Sequence, residues 1–212
     1  MSNAILRVGK GRGFVVNCCN YLRRPEPVVI TAAHCLPRKL PPPHPMRYAE
    51  EATYPRLLGP LDGKRTAWAA CLFVDPVADI AVLGKPDSFP EEADAYDELV
   101  EGLTPLAVAD APKQGVELLT LSGGHQIKSP TSGEGPAFVL SLDGRWCEGQ
   151  VERHSGWLAF KPEKLFVSGM SGSPILDANG AAIGVVSIDC ASPVIVDSLS
   201  ARLVRNIKTA RR

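Results

Sequence analysis

A chain of 212 residues with 45% hydrophobic and 22% charged side chains can bury its own core, and it fits one large or two small domains. Its 23 basic and 23 acidic residues cancel, which removes the electrostatic case for a nucleic-acid partner or an anionic membrane surface. No apolar run is long enough to predict a membrane span, and the first residues show neither the charged nor the apolar region of a signal peptide.

Nineteen glycines and 19 prolines favour turns, edges and loops over long helices. Residues 6–18 carry Gly9, Gly11 and Gly13 and then Phe14-Val15-Val16, which predicts a strand entered through a glycine-rich turn. Residues 27–31 are β-branched and predict a strand feeding straight into His34. Residues 36–45 hold five prolines and predict a surface insertion. Further strands are expected over 54–58, 65–74 and 79–83. Residues 85–102 turn acidic and predict a solvated linker with one or two helical turns near 95–100. The boundary is placed there: an N-terminal unit over 1–90, an acidic linker over 91–104 and a C-terminal unit over 105–212.

Strand signals return over 106–109, 116–121, 137–142, 146–153 and 157–161, with a hairpin signal at Asp143-Gly144. A second hairpin signal, Asp177-Ala178-Asn179-Gly180, separates Pro174-Ile175-Leu176 from a strand over 182–188. Over 196–212, Leu199, Leu203, Val204 and Ile207 recur at helical spacing and predict a C-terminal amphipathic helix. The expected fold is all-β: two six-stranded antiparallel β-barrels plus a C-terminal α-helix.

Three short stretches carry chemistry. In Gly169-Met170-Ser171-Gly172-Ser173-Pro174, two glycines bracket a serine, so the backbone can turn sharply and approach a ligand. Such a turn leaves neighbouring N–H groups for an oxyanion. Upstream lie Thr31-Ala32-Ala33-His34-Cys35 and Asp79-Ile80-Ala81-Val82-Leu83. Acyl transfer by a serine needs a base, a carboxylate to orient that base, and oxyanion donors. His34 would be the base, Asp79 the orienting carboxylate and Ser171 the nucleophile, and the N–H groups of Gly169 and Ser171 would be the donors. With His34 and Asp79 in one half and Ser171 in the other, the active site belongs in the cleft between the barrels.

These motifs resemble those of the trypsin-like (chymotrypsin-fold) serine proteases, in the family's order His, Asp, Ser and with gaps close to those of compact members. Gly184-Val185-Val186-Ser187 resembles the strand whose backbone pairs with substrate. The resemblance implies a serine endopeptidase acting on a protein or peptide, with no cofactor and no metal. It also implies a substrate pocket formed by Leu165, Phe166, Ser187, Ile188 and Asp189. Leu165 stands at the pocket base and brings no carboxylate, so an apolar or small P1 residue is expected, with Asp189 at the rim. Met170 stands where digestive members carry an aspartate that pairs with a freshly cleaved N-terminus. The chain is therefore more similar to bacterial, HtrA-like members, without the following PDZ sequence, and further domains or an activating partner would lie beyond it.

Six cysteines are too sparse for a disulfide scaffold. Cys18, Cys19, His34 and Cys35 do not have zinc-finger spacing. By the family resemblance Cys35 would bridge to Cys19 or Cys18, closing a loop of roughly 16 residues worth about 3 kcal/mol if oxidised. The rival expectation is a catalytically silent or latent module of the same fold that binds or senses peptides.

Overall fold

The computed structural model describes residues 2–19, 25–37, 52–76, 78–87, 90–109, 115–120, 126–131, 134–154, 157–161, 166–187 and 195–198. The first half supplies six strands: β1 (Ile5–Val8), β2 (Gly11–Cys19), β3 (Pro25–Ala32), β4 (Thr53–Pro60), β5 (Ala67–Asp75) and β6 (Ile80–Gly84). They close into a barrel in the order β1-β2-β3-β6-β5-β4. What reads in sequence as one strand over 6–18 is a hairpin, β1 pairing with β2 from Ile5↔Phe14 to Val8↔Gly11. The turn between them places Gly9 at φ 55.

The two-residue period of a strand decides what each face of this barrel meets. On β2, Val15 points inward with Leu6, Leu58 and Leu83. Phe14 and Val16 point outward and pack with Ile30 and Val82 against Leu140, Leu176, Ala182 and Val185 of the second half. The outward faces of β2, β3 and β6 are thus a seam buried against the second half.

The second half contains β9 (Glu134–Leu140), β10 (Trp146–His154), β11 (Trp157–Lys161), β12 (Pro174–Leu176), β13 (Ala182–Ser187) and β14 (Ile195–Ser198). This sheet curls round in the order β10-β11-β14-β13-β12-β9, and β9 pairs with both β10 and β12. Its interior holds Val139, Phe160, Met170 and Ile175. A register shift between Ile175 and Leu176 lets Ile183 and Val186 face that interior while Ala182 and Val185 face the seam. A separate ribbon pairs β7 (Gly115–Thr120) with β8 (Gln126–Thr131).

The structure corrects several sequence expectations. The acidic stretch is not a linker with one or two turns but a twelve-residue helix, α1 (Pro90–Glu101). Proline at its first position and Glu91 and Glu92 in its first turn suit the N-terminal end of a helix. Tyr96 and Val100, one turn apart, seal the end of the first barrel, and the Tyr96 hydroxyl donates to the Pro27 carbonyl at 3.1 Å. Residues 106–109 form no strand; they make single bridges, Val16↔Leu106 and Val108↔Ala182, that lace the two halves together. The stretch expected to open a C-terminal helix is instead β14, paired with β13 from Gly184↔Ser198 to Ser187↔Ile195. The remainder of that expected helix, and nearly all of the proline-rich insertion, lie outside the described residues. No described helix is long and apolar enough to cross a membrane.

Candidate active site

Strand register brings His34 to Asp79. β3 and β6 run antiparallel with Ala32 opposite Ile80. The residues just after Ala32 and just before Ile80 therefore emerge at the same end of the barrel. His34 sits in the short 3₁₀ turn Ala33–Cys35, and the Ala33 N–H donates to the Asp79 carbonyl at 2.9 Å. Asp79 adopts φ 50, a left-handed conformation tolerated by aspartate better than by most residues. Its carboxylate is held from three directions. Oδ1 accepts the His34 backbone N–H at 2.9 Å, Oδ2 pairs with His34 Nδ1 at 2.6 Å, and the Ser187 hydroxyl donates to Oδ2 at 2.5 Å. Burial pushes the Asp79 carboxyl up, but the hydrogen bonds from the His34 ring, the Ser187 hydroxyl and the His34 N–H outweigh it. The group is left below its ordinary value.

Ser171 comes from the other half and meets the first barrel through its backbone. Its carbonyl accepts the Arg12 N–H of β2 at 2.8 Å and the thiol of Cys35, the residue after His34, at 3.6 Å. The turn around it is tied to β13, since the Gly172 N–H donates to Val186 at 2.7 Å and the Val186 N–H returns to Ser173 at 2.9 Å. Gly172 has φ 83, and a Cβ there would lie 1.9 Å from the Arg12 carbonyl oxygen. The Met170 N–H donates to Val167 at 3.1 Å and the Ser173 N–H to Met170 at 3.0 Å. The Gly169 and Ser171 N–H groups donate to no described residue, which leaves the two expected oxyanion donors open.

Met170 is fully buried among Phe160, Ile175 and Val186. Apolar burial thus anchors this turn at the residue where digestive members of the resembled family use an ion pair.

Of the expected pocket residues, Phe166 packs edge-on against Phe160 with ring centroids 5.1 Å apart. Ser187 does more than the sequence suggests, because its hydroxyl is a third partner of the Asp79 carboxylate. No sequence pattern separates that role from ordinary strand pairing. Leu165, Ile188 and Asp189 lie outside the described residues.

The bridge that the family resemblance implies for an oxidised Cys35 is not formed, since Cys35 and Cys18 are both free thiols. The residue facing Cys35 on β2 is Gly11, where a Cβ would come within 2.5 Å of the Cys35 sulfur. Burial pushes the Cys35 thiol up to about 11, so it stays protonated and unreactive at neutral pH.

Residues 11–185 match the trypsin-like peptidase domain, most of the chain and a stretch that contains His34, Asp79 and Ser171; the protein belongs to that family. No curated protein matches the chain.

Proposed function

We propose that this trypsin-like peptidase is a serine endopeptidase in which His34, Asp79 and Ser171 form the catalytic triad. The observation that carries the reading is the His34–Asp79 pair at 2.6 Å, with the Ser171 carbonyl hydrogen-bonded to the neighbour of that histidine. Ser171 Oγ attacks the scissile carbonyl carbon while His34 Nε2 takes its proton. The resulting oxyanion is held by the Gly169 and Ser171 N–H groups. Collapse expels the amine, which receives the proton from His34, and leaves an acyl ester on Ser171. Water then repeats the sequence and frees the serine. Asp79 remains ionised and holds the ring in the tautomer that leaves Nε2 free to accept. The buried, apolar Met170 supports a likeness to HtrA-like members, in which no cleaved N-terminus is required.

The alternative is a latent or catalytically silent module of the same fold that binds or senses peptides until an activator acts. A fluorophosphonate probe tests the two. Labelling of the wild type but not of Ser171→Ala is the expected result; a wild type that stays unlabelled between about pH 6 and 9 would favour the module. The apolar character of Leu165 and Phe166 supports cleavage after apolar or small residues. A peptide-library profile should show that preference, and one dominated by Arg and Lys at P1 would refute it.

A further inference from the structure

A second line of contacts reaches the nucleophile turn from outside the triad. Arg12 on β2 is only 5% exposed. Its backbone N–H donates to the Ser171 carbonyl at 2.8 Å, and its own carbonyl accepts the Thr31 hydroxyl at 2.7 Å. Its guanidinium feels the Asp62 carboxylate just after β4 and makes its hydrogen bonds to the second half. Nη1 donates to the Leu140 carbonyl at 2.8 Å and to the Ser141 carbonyl at 3.2 Å, and Nη2 donates to Ser141 at 3.2 Å. No described carboxylate forms an ion pair with it. Burial lowers the Arg12 pKa and the nearby Asp62 carboxylate offsets this only in part, so hydrogen-bonding the cation to backbone carbonyls is costly.

Those carbonyls begin the tight turn between β9 and β10. Ser141, Asp143 and Arg145 brace it from the far side. The Ser141 N–H donates to Arg145 at 2.9 Å, the Arg145 N–H to the Ser141 hydroxyl at 3.1 Å, and Arg145 Nε to Asp143 at 2.7 Å. At the tip of this braced turn Leu142 is 50% exposed, and its Cδ2 would lie 3.7 Å from a Cβ placed on Gly169. Leu142 and Val167 are the large hydrophobic residues left exposed among the described ones. Both border the Gly169 turn, Val167 through the hydrogen bond its carbonyl accepts from Met170.

We propose that Arg12 is a positioning residue for the oxyanion turn: it holds Ser171 directly through its backbone and Gly169 indirectly, by clamping the turn that lays Leu142 over it. One residue thus grips the turn from both sides. A staple between barrels alone would not need to end beside both donors. The effect on turnover rests on the serine-peptidase reading, whereas the effect on the turn's mobility does not.

Wild type, Arg12→Lys, Arg12→Met and Leu142→Ala are compared by hydrogen–deuterium exchange of segments 139–145 and 166–173. Turnover of a chromogenic peptide ester is measured per fluorophosphonate-titrated site. In Arg12→Met, exchange in 166–173 should rise about tenfold or more while β4 and β5 stay unchanged. Its kcat should fall about 10- to 100-fold with KM within about threefold. Arg12→Lys, which keeps a cationic donor, should recover much of the loss. Leu142→Ala should move both readouts in the same direction, and combining it with Arg12→Met should add little. If Arg12→Met does not fold, Arg12→Lys and Leu142→Ala carry the comparison. Unchanged exchange in 166–173, or raised exchange with unchanged kcat, overturns the proposal. A wild type that the probe does not label overturns the peptidase reading instead, and the exchange measurement still decides the role of Arg12.

Discussion

Asp79→Asn should lower kcat by about 10⁴-fold while leaving the fold in place and KM nearly unchanged. The reason is the donor count around the carboxylate. Oδ2 receives both the His34 ring and the Ser187 hydroxyl, and Oδ1 receives the His34 backbone N–H. All three neighbours act as donors, and an amide can offer only one oxygen to them. If its NH₂ takes the place of Oδ2, the imidazole must accept at Nδ1 and carry its proton on Nε2. In that tautomer it cannot take the Ser171 proton. Steady-state kinetics with a circular-dichroism control would check this, and a variant that keeps a tenth of wild-type kcat would contradict it. The same geometry fixes the pH behaviour. Because the folded Asp79 titrates below its ordinary 3.8, its contribution to stability is complete above that value and is lost only as pH falls through the lower folded one. Around neutrality the carboxylate is ionised throughout, so the acid limb of kcat/KM in the wild type is set by the imidazole.

Gly172→Ala should remove activity by a different route, through the fold of the turn itself. Two costs coincide there. At φ 83 an alanine is strained, and its Cβ would meet the Arg12 carbonyl oxygen at 1.9 Å and the Thr31 hydroxyl at 2.6 Å. The first obstacle is strand backbone, which cannot swing aside. The turn would have to withdraw from β2, breaking the hydrogen bond from Arg12 to Ser171 and the one from Gly172 to Val186. Destabilisation of at least about 2 kcal/mol is expected, with Tm lower by about 5 °C or more and probe labelling of Ser171 lost. Thermal melts and labelling on the same sample would test it, and wild-type values for both would count against the account. Gly169 offers the contrast. It also has positive φ, yet the nearest atom to an added Cβ is 3.7 Å away on a leucine side chain, so a substitution there strains the proposed oxyanion donor without a clash.

Where a residue's chemistry is carried by its own type and near neighbours, the sequence is a good guide. β-branched residues before His34 and an apolar run after Asp79 marked the two strands whose register joins them. Where an outcome depends on distant partners, the signal fades. Half of the residues of α1 are acidic, and Tyr96 and Val100 are too few to set up a visible period, though burial of both holds it to the barrel. β14 was masked by leucines further along whose helical spacing extends into it, while its pairing partner β13 is remote from that pattern. The family resemblance matches Cys35 with Cys19 or Cys18, but the residue that β2 turns toward it is Gly11. The Ser187 hydroxyl and the reach of Arg12 leave no local trace, since both contacts cross between halves of the chain.

The seam formed by the outward faces of β2, β3 and β6 has a bearing on how this protein would be divided or evolved. Cut at the helix between the halves, the first barrel would present Phe14, Val16 and Ile30 to water as a continuous greasy strip, and the second would do the same with Leu140 and Val185. The two halves should therefore melt in a single cooperative step. Recombining halves from different relatives would demand matching of that strip before any question of chemistry arose.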